Sequence, residues 1–500
     1  MLVKKHFNVL AALLLFLFSF SLYAYKLKSS HIYHTDIARD ADEMIQLSQG
    51  HFTLIGPKLN FGGLYAGPYY YYLFAPILFL SNYNLNSVLI FNALLFSIAL
   101  IYFFKKISKK YSTFWATIST IEIALLPLYH LMSKNPGNAY SYMPLLLFFL
   151  TYLYFNSIQS VTAFVGLGVF AGIIINFHPL IFIVFIPIAF LLAILAKKKV
   201  NLLFFLIGII ITYMPLLIFE LRHDFVVLKK TIYDYNNSLL TSVNSPDNVW
   251  GDNFISRYLS SDNVVGDLVL FNPVIYLFIF LSPFIRWLKI KHLNLLRYDI
   301  FSDKIRFVKS LKNEYPLKLR LFIFSSLVSF SLYVLVARGD ICLHYVFPFA
   351  FFMFFALVIF ILNSNLKFLA IIIIILEVMK FNTNLYKNSI RPKEKFEKAV
   401  NYIIDNNLVN KNDAFNVIQT IDKVPAGHEY RFFFRVKGYS PKTINEYNIS
   451  DKLFIFSENK DYKIESMRNW ETGQFGQEYL KNYKTFQAGD IIVYLVDKNF

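Results

Sequence analysis

The sequence predicts an α-helical polytopic membrane protein with a small α/β domain at its C-terminal end. Of its 500 residues, 56% are hydrophobic and only 16% are charged, and the mean hydropathy is +0.47. Apolar windows recur along residues 1–383, whereas residues 384–500, the tail, are mainly polar. A water-soluble protein of this composition would have more apolar surface than it could bury.

The apolar windows are the predicted transmembrane helices. A helix that crosses a bilayer needs roughly 20 mostly apolar residues, and about eleven windows qualify, some of them narrowly. They lie near residues 7–25, 86–104, 112–131, 140–156, 161–177, 179–196, 201–219, 268–287, 319–337, 344–362 and 366–381. Lys4 and Lys5 precede the first window, which we interpret as an uncleaved helix because no small-x-small cleavage site follows it.

The basic residues predict the orientation, because Lys and Arg are retained on the cytoplasmic side. With the N-terminus in the cytoplasm, the inner connections hold the basic residues of 105–110, 197–199 and 286–320. The same count places residues 26–85, 132–139, 220–267 and the tail outside the cytosol. The formal net charge of +17 is therefore mainly a signal of topology, and no nucleic-acid partner is expected.

Residues 69–80 are apolar but shorter than a membrane span, and Pro68 and Pro76 border them. We interpret this segment as a helix in the membrane interface, where its four consecutive tyrosines suit the headgroup layer.

The tail predicts a small α/β domain outside the membrane. It has a helix-like stretch at 392–407 and β-rich runs at 413–421, 430–436, 452–457 and 490–496. Trp470, Tyr462, Tyr479 and Tyr483 either stack on a sugar or belong to the core, and the core is the commoner role. The single cysteine, Cys342, excludes an internal disulfide.

The first external loop holds the best candidates for chemistry. Residues 35–50 have the pattern of an amphipathic helix, with Thr35 or Asp36 as the N-cap and Gly50 as the stop. Asp36, Arg39 and Asp40 then share the face opposite the apolar stripe, since residues three and four apart are neighbours on a helix. Such a group supplies a base and an anion clamp, or it is simply the solvated face of an interfacial helix.

Several motifs of the chain resemble those of GT-C glycosyltransferases. The first loop contains Asp36-Ile-Ala-Arg-Asp-Ala, Ile55-Gly-Pro-Lys and Gly62-Gly-Leu-Tyr-Ala-Gly-Pro. Later segments carry further motifs that resemble those of the same enzymes, in the same order along the chain and on the same predicted side of the membrane. They are Asn135-Pro, His178-Pro, Phe219-Glu-Leu-Arg-His and His344-Tyr-Val-Phe-Pro. Over residues 1–360 the chain is most similar to the protein mannosyltransferase and aminoarabinose transferase group, especially its uncharacterised bacterial branch.

The resemblance implies a GT-C-like membrane domain over residues 1–383, with residues 26–85 as its catalytic loop. It further implies an enzyme that passes a sugar from a polyprenyl-phosphate carrier to a lipid, polysaccharide or protein acceptor, and Asp36 matches the acidic residue expected to be catalytic. In the family a second acid often follows directly, whereas Ile37 follows here. This departure leaves metal binding and donor handling open.

The chemistry of the reaction assigns roles to the candidates. Phosphate is a stable leaving group, so the reaction needs a base for the acceptor hydroxyl and positive charge near the phosphate. Asp36 is the predicted base, and Asp40 either orients Arg39 or assists a divalent metal ion. The predicted phosphate-binding residues are Arg39, Lys58, Arg222 and Arg338.

Attack opposite the departing phosphate predicts inversion at the anomeric carbon. The further substrate-site candidates are Tyr65, His178, Glu220, His223, His344 and Tyr345. The structural alternative for His178 and His344 is a helix-end role, in which they satisfy backbone groups or lie in the interface. The structural alternative for Glu220 and His223 is that they mark the membrane boundary. Glu122 lies inside a predicted span, where it is either functional or a protonated packing residue.

Two other function classes fit parts of the sequence. A transporter or flippase of lipid-linked saccharides also needs many helices and anion-binding residues, but its polar sites lie near the midplane in repeated halves. A membrane scaffold would keep the motifs as architecture alone. The polar candidates lie in outer loops and no repeat is evident, which favours the enzyme.

Overall fold

A computed structural model of the chain describes residues 2–59, 64–230, 232–233, 317–336, 343–364, 367–420 and 426–498. The predicted span 268–287, Arg338 and Cys342 lie outside these residues. The chain divides into two compact units. The helical unit comprises Met1–Tyr25, Leu54–Tyr70 and Phe91–Thr383; the sheet unit comprises Lys26–Thr53, Tyr71–Ile90 and Asn384–Phe500.

Helices dominate the chain before the tail. In chain order they are α1 Leu2–Ala24, α2 Leu27–Ser30, α3 Thr35–Ser48, α4 Tyr69–Leu80, α5 Leu85–Lys110, α6 Thr113–Leu125, α7 Pro127–Lys134, α8 Met143–Phe155, α9 Val161–Phe177, α10 Phe182–Leu195, α11 Asn201–Arg222, α12 Leu317–Val336, α13 Leu343–Asn363 and α14 Leu369–Met379. Each predicted window that falls on described residues overlaps one of these helices, except that the window at 112–131 overlaps two, α6 and α7; the predicted helix at 69–80 is α4.

Five helices of the described residues are long and apolar enough to cross a membrane: His6–Ser30, Leu85–Lys110, Asn201–Arg222, Leu317–Leu335 and Val346–Asn363. The predicted straight window at 112–131 is instead bent by 61° between α6 and α7, and the pair gives a sixth span if it is counted as one. Pro127 starts α7 and has no N–H to donate, which explains the break. The chain is an integral membrane protein.

The close packing of α9 against α11 fixes the backbone of α11. A Cβ atom on Gly168 would lie 2.0 Å from the carbonyl oxygen of Phe205, and one on Gly208 would lie 2.4 Å from that of Val165. Small residues at such crossings let two membrane helices approach closely. The first half of α11, around Phe205 and Gly208, is therefore held close against α9.

The helices and strands of the tail are α15 Lys393–Asp405, β1 Phe415–Gln419, α16 His428–Val436, β2 Lys452–Ser457, α17 Trp470–Phe475, β3 Tyr483–Ala488 and β4 Ile491–Asp497. The four strands form a mixed sheet in the sheet unit, with strand order β1-β2-β4-β3. β1 runs parallel to β2, while β4 is antiparallel to both β2 and β3. The predicted α/β character of the tail is confirmed.

Two local predictions for the tail were wrong. Residues 430–436 form a helix rather than a strand, because the aromatic run that favours β-structure is buried on several sides of α16. β3 was not predicted, since its side chains are mostly exposed and give no apolar alternation. Tyr462 and Tyr483 pack against the core as the commoner role predicts, whereas Trp470 is 53% exposed.

The segment predicted to be the first external loop, residues 26–85, contributes α3 to the sheet unit. α3 packs against α16 of the tail, and the segment before it is hydrogen-bonded there as well, because the Tyr33 N–H donates to the Arg391 carbonyl at 3.0 Å. The domain boundaries predicted from sequence follow the chain, whereas this compact unit joins residues 26–53 to the tail.

Candidate active site

α3 carries the predicted base and its neighbours. The helix begins at Thr35 and is N-capped by His34, whose backbone is extended (φ −134°, ψ 168°) and whose side chain makes no capping bond. The expected N-cap, Thr35 or Asp36, was therefore wrong by one or two residues: the Thr35 hydroxyl instead donates to a Glu429 carboxylate oxygen at 2.9 Å. α3 ends at Ser48, before Gly50, whose φ of 94° suits a helix stop.

One guanidinium joins the two predicted carboxylates. Arg39 Nη1 donates to Asp36 Oδ1 at 2.9 Å. Its Nε and Nη2 donate to Asp40 Oδ1 at 3.0 and 2.9 Å. The side chains of Asp36, Arg39 and Asp40 are 57%, 21% and 2% exposed, so the cluster runs from solvent into the interior of the unit.

Asp40 is the buried end of this cluster. The Tyr71 hydroxyl from α4 also donates to Asp40 Oδ1, at 3.2 Å. Burial raises the pKa of the Asp40 carboxyl to about 6, although the guanidinium of Arg39 opposes the shift. Burial by itself would lower the pKa of Arg39, because it disfavours the charged guanidinium. The neighbouring carboxylates of Asp40 and Asp36 have the larger effect and raise that pKa.

The arrangement separates two roles within the cluster. Asp36 is the carboxylate that a substrate can reach, and its position is held by Arg39. Arg39 in turn is fixed by Asp40. The Asp40 carboxylate accepts three hydrogen bonds, two from Arg39 and one from Tyr71, and these hold it in one orientation. Since all three guanidinium nitrogens already face carboxylates, an incoming phosphate would have to displace one of them, which makes Arg39 a poorer phosphate clamp than its sequence position predicts.

Lys58 and Tyr65 are neighbours in the helical unit. They form an isolated antiparallel bridge, with Lys58 exposed and Tyr65 partly buried. The two segments also touch beyond the bridge, since a Cβ on Gly56 would lie 2.1 Å from the Gly67 carbonyl oxygen. The Gly-Pro pairs of both motifs thus permit a backbone contact that larger residues would block, and they leave the Lys58 ammonium at the surface.

The group at the end of α11 has a capping geometry. Both Glu220 carboxylate oxygens accept backbone N–H bonds, from Val227 at 3.2 Å and Leu228 at 3.0 Å. His223 Nδ1 lies 2.8 Å from the Phe219 carbonyl oxygen, and the His223 ring stacks on the Phe219 ring. Arg222 is exposed. The contacts therefore support the structural alternative for Glu220 and His223 and leave Arg222 available for an anion.

The remaining candidates are either buried or have no described side chain. His178 follows α9 and is 4% exposed, so it is a buried residue. His344 and Tyr345 lie in the first turn of α13, where the structure describes the backbone alone, and Arg338 is outside the described residues. Among the side chains that the structure does describe, no three His, Cys, Asp or Glu converge as a set of metal ligands.

A cavity of about 390 Å³ lies along α11 in the helical unit. Its wall is almost entirely apolar, and Glu220 is the one charged residue among the described residues that line it. The residues that line it are Leu64, Ile209, Ile210, Tyr213, Leu216, Leu217, Glu220, Phe225, Val227 and Leu228. Such a lining suits a hydrocarbon chain rather than a sugar.

Comparison with known structures identifies the architecture. Searches with protein-family models and of curated proteins gave no match. The crystal structure of apo ArnT from Cupriavidus metallidurans aligns over 99% of this chain and 98% of its own, with 9% identity and a TM-score of 0.51. ArnT bound to undecaprenyl phosphate aligns over 98% of this chain and 97% of its own, with 10% identity and a TM-score of 0.50.

The chain has the GT-C fold. Both units take part in the likeness, because the alignment covers nearly the whole chain. The fold class predicted from the first-loop motifs and the helix pattern is therefore confirmed, including the small tail domain.

Sequence reasoning missed four residues that shape the GT-C first loop of this chain. Tyr71 was considered only as one of four consecutive tyrosines, and Asp42 was not singled out. Glu429 and Arg435 lie almost four hundred residues from α3, yet they contact Thr35 and Asp42. One signal was available for Asp42: it is seven residues after Thr35 and so lies on the same face of α3.

Proposed function

We propose that this protein is a membrane glycosyltransferase, one that moves a sugar from a polyprenyl-phosphate carrier to a lipid, polysaccharide or protein acceptor outside the cytosol. The observation that carries the proposal is the exposed Asp36 carboxylate held by Arg39, which is itself fixed by buried Asp40. The GT-C fold supports it, since one structure with that fold, ArnT, was crystallised with undecaprenyl phosphate.

Asp36 acts as the base in this proposal. The acceptor hydroxyl gives its proton to an Asp36 oxygen while its own oxygen attacks the anomeric carbon of the donor. The bond between that carbon and the phosphate oxygen breaks, and polyprenyl phosphate leaves with the electron pair. Attack from the opposite side inverts the anomeric centre. No strong acid is needed, because the leaving phosphate is already a stable anion.

The phosphate needs positive charge that is free to bind it. Arg39 is engaged by two carboxylates, so we assign it to holding Asp36, with phosphate contact as a secondary role. Lys58 and Arg222 are exposed cations and the better candidates, together with Arg338. A divalent metal is a further candidate for this charge, and Asp40 would hold it only if its bonds to Arg39 were broken.

The apolar cavity along α11 supports a lipid-linked donor. It lies on a helix that is long and apolar enough to cross a membrane. Its lining matches an isoprenoid chain, and Arg222 ends the same helix. In this proposal the N-terminus is cytoplasmic, and the first loop and tail are extracytosolic, as the distribution of Lys and Arg predicts.

The test is transfer by purified protein from a panel of radiolabelled polyprenyl-phosphate sugars to a membrane lipid extract. We expect Asp36→Asn to lower the rate by roughly 10² to 10⁴, the usual contribution of a general base. Glu43→Gln is the matched control, since Glu43 is another exposed carboxylate of α3. Full activity of Asp36→Asn would remove Asp36 as the base, and a product of retained configuration would contradict inversion.

A carrier of lipid-linked saccharides is the second candidate, and one observation favours it. Glu122 of α6 and Glu377 of α14 are fully buried in apolar helices, and their carboxyl oxygens have no hydrogen-bond partner among the described residues. Intramembrane carboxyls of this kind serve transport in many proteins. Movement of lipid-linked sugar across vesicles, lost in Glu122→Gln but kept in Asp36→Asn, would favour the carrier over the enzyme.

A further inference from the structure

α3 and α16 are joined by two polar links. At the start of both helices the Thr35 hydroxyl donates to Glu429 at 2.9 Å. Further along both, Arg435 Nε and Asp42 Oδ1 form an ion pair at 2.6 Å, close in distance although not aligned as a hydrogen bond. The helices therefore run side by side in the same direction over this stretch.

The spacing of the links matches along the two helices. Thr35 and Asp42 are seven residues apart, and Glu429 and Arg435 are six apart. At 1.5 Å per residue these spacings are about 10.5 and about 9 Å. A slip of one helical turn, about 5.4 Å, would break both links together. The pair of links thus specifies one axial register.

The links lie on a different face of α3 from the predicted base. Thr35, Ala38 and Asp42 fall on one stripe of the helix, at positions i, i+3 and i+7. Ala38 is fully buried there, while Asp36 is exposed. α16 can therefore hold the helix without covering the Asp36 carboxylate.

Both links involve charge that is removed from water. Glu429 is fully buried and Asp42 is 6% exposed. Arg391 adds a second contact to Glu429, at 3.3 Å. Because an isolated buried charge is strongly unfavourable, these acids favour the one register in which their partners are present.

We propose that Arg435 and Glu429 of the tail are positioning residues for the first loop: they set the axial register of α3 and thereby the place of the Asp36 carboxylate. Neither residue needs to touch substrate. The inference rests on the proposed function for its effect on the rate, whereas the register itself is independent of it. It assigns the tail a part in catalysis, since a displacement of about 1 Å can lower a rate on the order of a hundredfold.

The experiment compares Arg435→Gln with Arg435→Lys and with a control variant of the full chain. Lys452→Gln is the control, because Lys452 pairs with Asp413 at 2.7 Å in the same unit without contacting α3. Two quantities are measured for each protein in detergent: hydrogen–deuterium exchange of the α3 amides, and kcat and KM for the donor with which the wild type is active.

For Arg435→Gln we expect faster exchange in α3, a kcat lowered by about tenfold to a hundredfold and an unchanged donor KM. Arg435→Lys should recover most of both losses, and Lys452→Gln should show neither. Unchanged α3 exchange, or faster exchange with a normal kcat, would overturn the positioning role. If the wild type transfers no sugar, the proposed function fails, and the exchange result alone still decides whether Arg435 sets the register.

Discussion

Two charged groups at helix ends look alike in sequence but differ in structure. In α3, Asp36, Arg39 and Asp40 bond to one another, with a single guanidinium between two carboxylates. At the end of α11, Glu220 and His223 bond to the backbone, and Arg222 is exposed. In the first group the charged side chains pair with one another, whereas in the second Glu220 and His223 interact with backbone groups at helix ends.

The difference shows that the role of a charged residue depends on whether its partner is a backbone group or another charged side chain. Carboxylates that meet backbone N–H groups stabilise a helix end, and any residue that caps well would serve. Carboxylates that meet a shared, partly buried guanidinium fix one another's positions, and a change to one of them affects the others. The comparison predicts four effects of decreasing size.

The largest effect should come from Arg39→Gln. This change leaves buried Asp40 without its cation, and breaking such a pair costs about 3–5 kcal/mol of the free energy of unfolding. The matched variant Arg222→Gln should change stability by no more than about 0.5 kcal/mol, since its side chain is exposed. Thermal unfolding in detergent measures both. Equal effects of the two variants would show that the α3 cluster is not coupled.

The pH dependence of stability should come next, and Asp40 should contribute the largest part of it. Its folded pKa of about 6 lies above the ordinary 3.8. Between these values the folded state keeps a proton that the unfolded state has lost, so stability falls as the pH rises from about 4 to about 6. A shift of about two units corresponds to about 3 kcal/mol.

Asp40→Asn should remove the largest part of that dependence, and unfolding curves of both proteins at pH 4, 5 and 6 measure it. Burial also raises the pKa of the Asp42 and Glu43 carboxyls, so Glu43→Gln is the comparison variant and should remove a smaller part than Asp40→Asn. A parallel fall in wild type and Asp40→Asn would assign the titration to another group.

A smaller effect should follow from Glu220→Gln. The amide can keep one of the two backbone bonds at Val227 and Leu228 but accepts the second poorly, which costs about 1–2 kcal/mol, as for other lost caps. Sugar transfer should stay within about twofold of the wild type if Glu220 only caps. A loss of transfer as large as that of Asp36→Asn would restore Glu220 to the active site.

The smallest effect should be that of His223→Ala. It removes one bond to the Phe219 carbonyl and one ring contact at an exposed helix end, together worth about 0.5–1 kcal/mol. Differential scanning calorimetry of His223→Ala and of Arg222→Gln separates this loss of stability from a general destabilisation of α11. A donor KM raised by His223→Ala alone would indicate contact with substrate.

The sequence allowed the helical regions, the α/β tail and the α3 triplet to be predicted, because each depends on residues close together in the chain. Apolar length predicts a span, and a spacing of three or four predicts that Asp36, Arg39 and Asp40 meet. Burial of Asp40 could not be predicted, since Tyr71 comes from another helix. The bend between α6 and α7 depends on Pro127, which a hydropathy window does not register.

By itself, therefore, the sequence determined the membrane class, the predicted orientation and the residues of the candidate site, which are properties of composition and local spacing. The tertiary structure decided which charges are paired. It joined Thr35 to Glu429 and Asp42 to Arg435, residues that are almost four hundred positions apart in the chain. It also directed Glu220 to a helix end. The physical reason is that a charge's role depends on its partners and its burial, and both are supplied by elements that are distant in sequence.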